Sequence, residues 1–115
     1  MAVRCTAAQL RELKRKHDRE AIDSICSDIG TNIIGAAKEG ESSVTAVLSN
    51  LPSKDIVMII YGQQYMTYGV IVNDSVISGC VESLNILFPG CVIYSENIEG
   101  SESKKIIVDW SDKTS

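Results

Sequence analysis

The stretch Asp55-Ile56-Val57-Met58-Ile59-Ile60-Tyr61-Gly62-Gln63-Gln64-Tyr65-Met66-Thr67-Tyr68-Gly69 decides how the middle of this chain folds. Ile56 to Tyr61 has strand composition, rich in β-branched and aromatic side chains. Yet Pro52, Ser53 and Asp55 make a plausible helix start, and Gly69 a plausible stop. Both readings are open, and the flanking caps favour a helix over 55–68. The same stretch carries few charges. From Asp55 to Ser95 only Asp55, Asp74 and Glu82 are charged.

Working outward to the N-terminus, Thr6 or Ala7 to Glu39 reads as one long helix. Leu10, Leu13, Ala21, Ile25, Ile29, Ile33 and Ala36 recur at three- and four-residue steps. Thr6 is a candidate cap and Gly40 a natural stop. Gly30 lies inside it, which implies a break or a close packing contact. The first third is polar around most of its girth and is expected to project beyond the core.

Ser43 to Leu48 alternates and reads as a strand. Val70-Ile71-Val72 is a strand by content. Asp74 or Ser75 is expected to cap a second helix whose apolar face runs Val76, Ile77, Cys80, Val81, Leu84, Leu87, Phe88. Pro89-Gly90 ends it. Cys91–Tyr94 and Lys105–Trp110 then read as two strands around a polar loop. The expected fold is α+β: a long N-terminal helix, a small, mostly antiparallel sheet of about four strands, and one or two packed helices. In the last strand Ile106, Val108 and Trp110 share one face and Ile107 and Asp109 the other. Phe88 and Trp110 are read as pins between helix and hairpin.

With 115 residues, 44% of them hydrophobic, the chain has the size and composition of a single globular domain over 1–115, with 1–20 a basic head and 112–115 a fraying tail. The longest apolar run has six residues, Ile56 to Tyr61, against the roughly 20 of a membrane span, so no membrane association is expected. No secretory signal is visible, and a cytoplasmic location is expected.

Charge is uneven. Residues 1–20 hold six basic side chains against three acidic, net +3; residues 21–115 hold five against twelve, net −7, which sums to −4. Arg11, Lys14, Arg15, Lys16 and Arg19 are candidate phosphate contacts. The competing reading is a solubilising helix with Arg15–Asp18, Lys16–Glu20 and Arg19–Asp23 pairs. No aromatic ring interleaves the cations, so base stacking is not supported.

Catalytic motifs are not found. Gly35-Ala36-Ala37-Lys38-Glu39-Gly40-Glu41-Ser42 has the spacing of a phosphate loop, but Glu41 stands where the lysine is needed and the motif lies at a helix end. His17, the only histidine, sits in a charged helical stretch, and Cys5, Cys26, Cys80 and Cys91 form no ligand or redox pattern. The cysteines are expected to be reduced and mostly buried. No catalytic residue, cofactor or metal is assigned.

The charge-poor stretch from 56 to 95 is the most informative feature. A domain this small cannot bury a third of its chain completely. Neutral surface with Tyr and Met is the chemistry of a protein contact, since charges are depleted at interface cores. Gln63, Gln64, Tyr65 and Tyr68 are therefore candidate interface residues. The competing reading is a well-covered strand and helix.

Residues 69–111 also resemble a known group. A helix ending in Phe88-Pro89, then a strand, a polar loop, and Ile106-Ile107-Val108-Asp109-Trp110-Ser111 is similar to small proteins of the large nucleocytoplasmic double-stranded DNA viruses. The resemblance implies a virus-encoded α+β protein of host cytoplasm or virion, and it carries over no catalytic residue. The expected function is non-enzymatic: a small structural or interaction protein, a homo-oligomer or docked on a larger assembly. The alternative is a nucleic-acid-associated protein using the basic helix.

Overall fold

The computed structural model describes residues 6–111. Helix α1 spans Ala7–Lys38, strands β1 Ser43–Asn50, β2 Ile56–Ile60 and β3 Gln63–Thr67, helix α2 Asp74–Leu87, and strands β4 Val92–Asn97 and β5 Lys104–Asp109. The five strands form one antiparallel sheet in the order β3-β2-β1-β5-β4. The α+β expectation holds, with five strands in place of about four. Residues 1–5 and 112–115, including Cys5 and the expected tail, lie outside the described residues.

The helical reading of 55–68 is overturned: the stretch is the β2–β3 hairpin. Tyr61 and Gly62 both have positive φ, 51° and 77°. That is the left-handed two-residue turn that matches strand twist, and Gly62 adopts it without steric cost. The β-branched run Ile56-Val57 and Ile59-Ile60 then pairs with Gln63–Thr67, Ile60 opposite Gln63 and Ile56 opposite Thr67.

Val70-Ile71-Val72 is the second correction, because it joins no ladder. Val70 and Val72 are buried, so its apolar content plugs the core rather than extending the sheet. Its backbone is bound by side chains: Asn50 Oδ1 accepts from Val72 N at 2.7 Å, and Asp55 Oδ1 accepts from Gly69 N at 2.7 Å. The cap of α2 is Asn73, whose side chain accepts from Val76 N at 2.9 Å, one residue before the expected cap. The α1 cap is Thr6, in a capping box with Gln9.

Both helices pack on one face of the sheet. Val44, Ala46, Leu48, Ile56, Met58, Ile60, Ile93, Ile106 and Val108 meet Ile25, Ile29, Ile33, Val76, Cys80 and Leu84 in a single core. The helices cross closely. A Cβ on Gly79 would meet Ile22 Cδ1 at 2.5 Å, and one on Gly30 would meet the Phe88 ring at 3.4 Å. Gly30 is thus a packing contact and α1 is unbroken. Phe88 pins α2 to α1, while the Trp110 indole donates to Glu41 O at 3.1 Å, at the α1–β1 junction.

Candidate interaction surfaces

Three surfaces stand out from the core. The first is the sheet face that carries no helix. Strand alternation turns Thr45, Val47 and Ser49 of β1, Val57 and Ile59 of β2, Gln64 and Met66 of β3, Val92, Tyr94 and Glu96 of β4, and Lys105, Ile107 and Asp109 of β5 away from the core. The ladder sets Tyr94, Ile107 and Thr45 in one row, Val47 beside Ile59, and Ser49, Val57 and Met66 in another. Ile59, Met66, Val92 and Tyr94 are exposed. No charge stands on the β1–β3 part of this face. On the β4–β5 part Lys105 and Glu96 neutralise each other at 3.2 Å, and Asp109 accepts from Ser111 N at 2.8 Å.

The second surface is the β3 edge, where Gln63, Gln64, Tyr65 and Tyr68 all sit. Gln63, Gln64 and Tyr68 are exposed; Tyr65 is half-buried on the helix side, where its hydroxyl accepts from Asn32 Nδ2 at 3.0 Å and donates to Gln63 Oε1 at 3.0 Å. The two-residue turn makes Ile60–Gln63 a hydrogen-bonded pair. Alternation then makes Met58–Tyr65 and Ile56–Thr67 hydrogen-bonded, so the N–H and C=O of Gln64 and Met66 point outward from the sheet.

The third is the N-terminal arm of α1, which helps stretch the molecule to 65 × 29 × 23 Å. Leu10 and Leu13 are exposed. The expected intrahelical pairs are partly corrected. Lys14 pairs with Asp18 at 2.9 Å, Arg15 with Glu12 at 3.1 Å, and Arg19 with Asp23 at 3.8 Å. Side-chain geometry chose Glu12 over Asp18 for Arg15. Among the described residues Arg11 and Lys16 enter no ion pair. His17 is an internal clasp: its Nε2 lies 2.7 Å from Gly69 O and donates to it.

Titratable groups follow from these contacts. The Gly69 N–H and the Ser53 hydroxyl hold the Asp55 carboxyl below its ordinary range. Lys104 does the same for Asp74, at 2.8 Å. Burial pushes Asp28 up. Cys26 and Cys80 face each other, buried, across the helix crossing; the Cys26 contact and then burial keep Cys80 a thiol. Among the described residues no group of His, Cys, Asp and Glu side chains is arranged to hold a metal. No described helix is long and apolar enough to cross a membrane.

Sequence reasoning located β3 as a surface but missed the sheet face. The missing signal was the strand assignment itself: once 56–60 is a strand, Val57 and Ile59 must point away from Ile56, Met58 and Ile60. Compared with known proteins, the chain matches no family model, no curated sequence and no solved structure.

Proposed function

We propose that this chain is a non-enzymatic, self-associating interaction protein, built to assemble through its sheet. The observation that carries the reading is the helix-free face, on which Val47, Val57, Ile59, Met66, Tyr94 and Ile107 form contiguous apolar rows. Contiguous apolar surface of this kind marks a contact site. A second copy of the same face is the favoured occupant. Its β1–β3 part is uncharged and Glu96 and Lys105 cancel, so like meets like without repulsion.

The nucleic-acid reading is the weaker one. Three of the five candidate cations are held by carboxylates of their own helix. The resemblance of residues 69–111 to proteins of large DNA viruses supports placing the assembly in host cytoplasm or virion.

Light scattering coupled to size exclusion tests the proposal, at low and moderate salt, with and without duplex DNA. The expected result is a mass above the 12.5 kDa of one chain, insensitive to salt and DNA and lowered by Ile107→Glu. A single-chain mass at every concentration reached, or a complex formed only with DNA, would overturn it.

A further inference from the structure

The β3 edge supports a second contact, which deepens the proposed assembly through the sheet. Edge strands present unpaired backbone groups, and proteins usually guard them with charge, proline, a bulge or a covering element. β3 reads Gln-Gln-Tyr-Met-Thr, with neither charge nor proline, and its ladder to β2 runs without a bulge. Among the described residues no hydrogen bond from outside the sheet reaches the backbone of Gln64 or Met66.

We propose that β3 pairs antiparallel with β3 of a second copy, across a two-fold axis at Tyr65, to make a continuous ten-stranded sheet. The register follows from the outward groups. Gln64 of one copy faces Met66 of the other, and the two pairs exchange four backbone hydrogen bonds. Tyr65 then meets its own copy as a non-hydrogen-bonded pair. Tyr68, 70% exposed, comes level with Gly62 of the other copy across the join.

Helix α1 fits this arrangement. It runs beside β3 in the opposite direction, since Asn32 meets Tyr65 and His17 meets Gly69. Ser24, Thr31 and Gly35 line clefts shared with the strand, and Asp28 lies between them on the same helix stripe. Apart from Asp28 this flank is small-sided, so a second helix can approach it closely. The two-fold also lays the two helices antiparallel.

Size supports the same occupant. One sheet face, five strands at about 4.8 Å spacing and roughly five residues long, covers on the order of 400 Å². Two such faces stacked bury only about 800 Å², the scale of a lattice contact, whereas two ten-stranded plates bury about 1,600 Å², the standard for a specific interface. Edge pairing thus makes the face large enough to be used.

Paired cysteine variants test the register, in a background with Cys5 and Cys91 replaced by serine. Facing Cα atoms of a hydrogen-bonded pair lie about 5.5 Å apart, within disulfide range. Mixing Gln64→Cys protein with Met66→Cys protein under mild oxidation should give a covalent dimer at least about tenfold faster than either variant alone, a difference of about 1.4 kcal/mol in activation free energy. Gln64→Pro removes one outward donor and is compatible with an edge strand. It should keep the circular dichroism of the parent and lose association, while Ile107→Glu should retain a two-chain mass. A mixture that links no faster than the single variants, or a folded Gln64→Pro protein that associates like the parent, would overturn the proposal. Ile107→Glu leaves the edge pair intact and so reads the sheet face separately.

Discussion

The side-chain amide of Asn32 donates to the Tyr65 hydroxyl at 3.0 Å, and that hydroxyl donates to the Gln63 side chain at 3.0 Å. A helix and an edge strand are thereby fixed to each other by one phenol. The consequence is a rigid strand edge beside a small-sided helix flank, set for association with little ordering cost.

Tyr65→Phe should therefore cost about 1 kcal/mol of stability, the worth of a half-buried hydrogen bond. Urea denaturation of parent and variant would measure it. The variant should also associate more weakly, because strand and flank lose their alignment. Equal midpoints and equal association would contradict the role given to the phenol.

Asp28 is the one carboxylate in the middle of the helix flank, and burial already raises its pKa. Covering that flank with a second copy desolvates it further. Asp28→Asn should tighten self-association, by up to about tenfold. Sedimentation equilibrium would show this as a lower dissociation constant. A weaker dimer would mean that the carboxylate is recruited into the contact.

The crossing of α1 and α2 makes its own prediction. A Cβ at Gly79 meets the mobile end of Ile22. Gly79→Ala should be near neutral, since the helix gains about 1 kcal/mol from losing glycine while Ile22 gives up a comparable amount to an altered rotamer. Gly79→Leu has no such escape and should destabilise by about 1–3 kcal/mol. Thermal unfolding of both variants separates the two cases.

Much of this architecture was legible. Thr6 with Gln9, the spacing of Ile25, Ile29 and Ile33, and the alternation of Ile106 and Val108 each state their element in local terms, and the structure keeps all of them. The 55–68 stretch was not legible, because its caps and its composition pointed in different directions. The deciding fact is that Tyr61 and Gly62 turn left-handed together, and Tyr gives no hint of that. Val70 and Val72 misled for a different reason. Apolar β-branched content signals burial, and here burial came without a ladder, through Asn50 and Asp55. The sheet face was hidden with that stretch, because Val57 and Ile59 turn outward only once 56–60 is a strand.

The Asp55 clasp predicts an acid response. Gly69 N–H and Ser53 Oγ favour the charged carboxylate, so its folded pKa lies below the ordinary 3.8. A depressed folded pKa contributes stability above the unfolded value and loses it as pH falls through the folded one. The unfolding midpoint of the parent should drop as pH falls below about 3.8, and Asp55→Asn should flatten that slope. Parallel slopes for the two proteins would remove the clasp from the account.

Amide hydrogen exchange resolved to single residues, followed across protein concentration, tests assembly through the sheet edge most directly. The Gln64 and Met66 amides point away from β2, so in one chain alone they exchange freely. The account predicts strong protection of both at high concentration and its loss on dilution, while Tyr65, bonded to β2, changes far less. Fast exchange of Gln64 and Met66 at every concentration would contradict it.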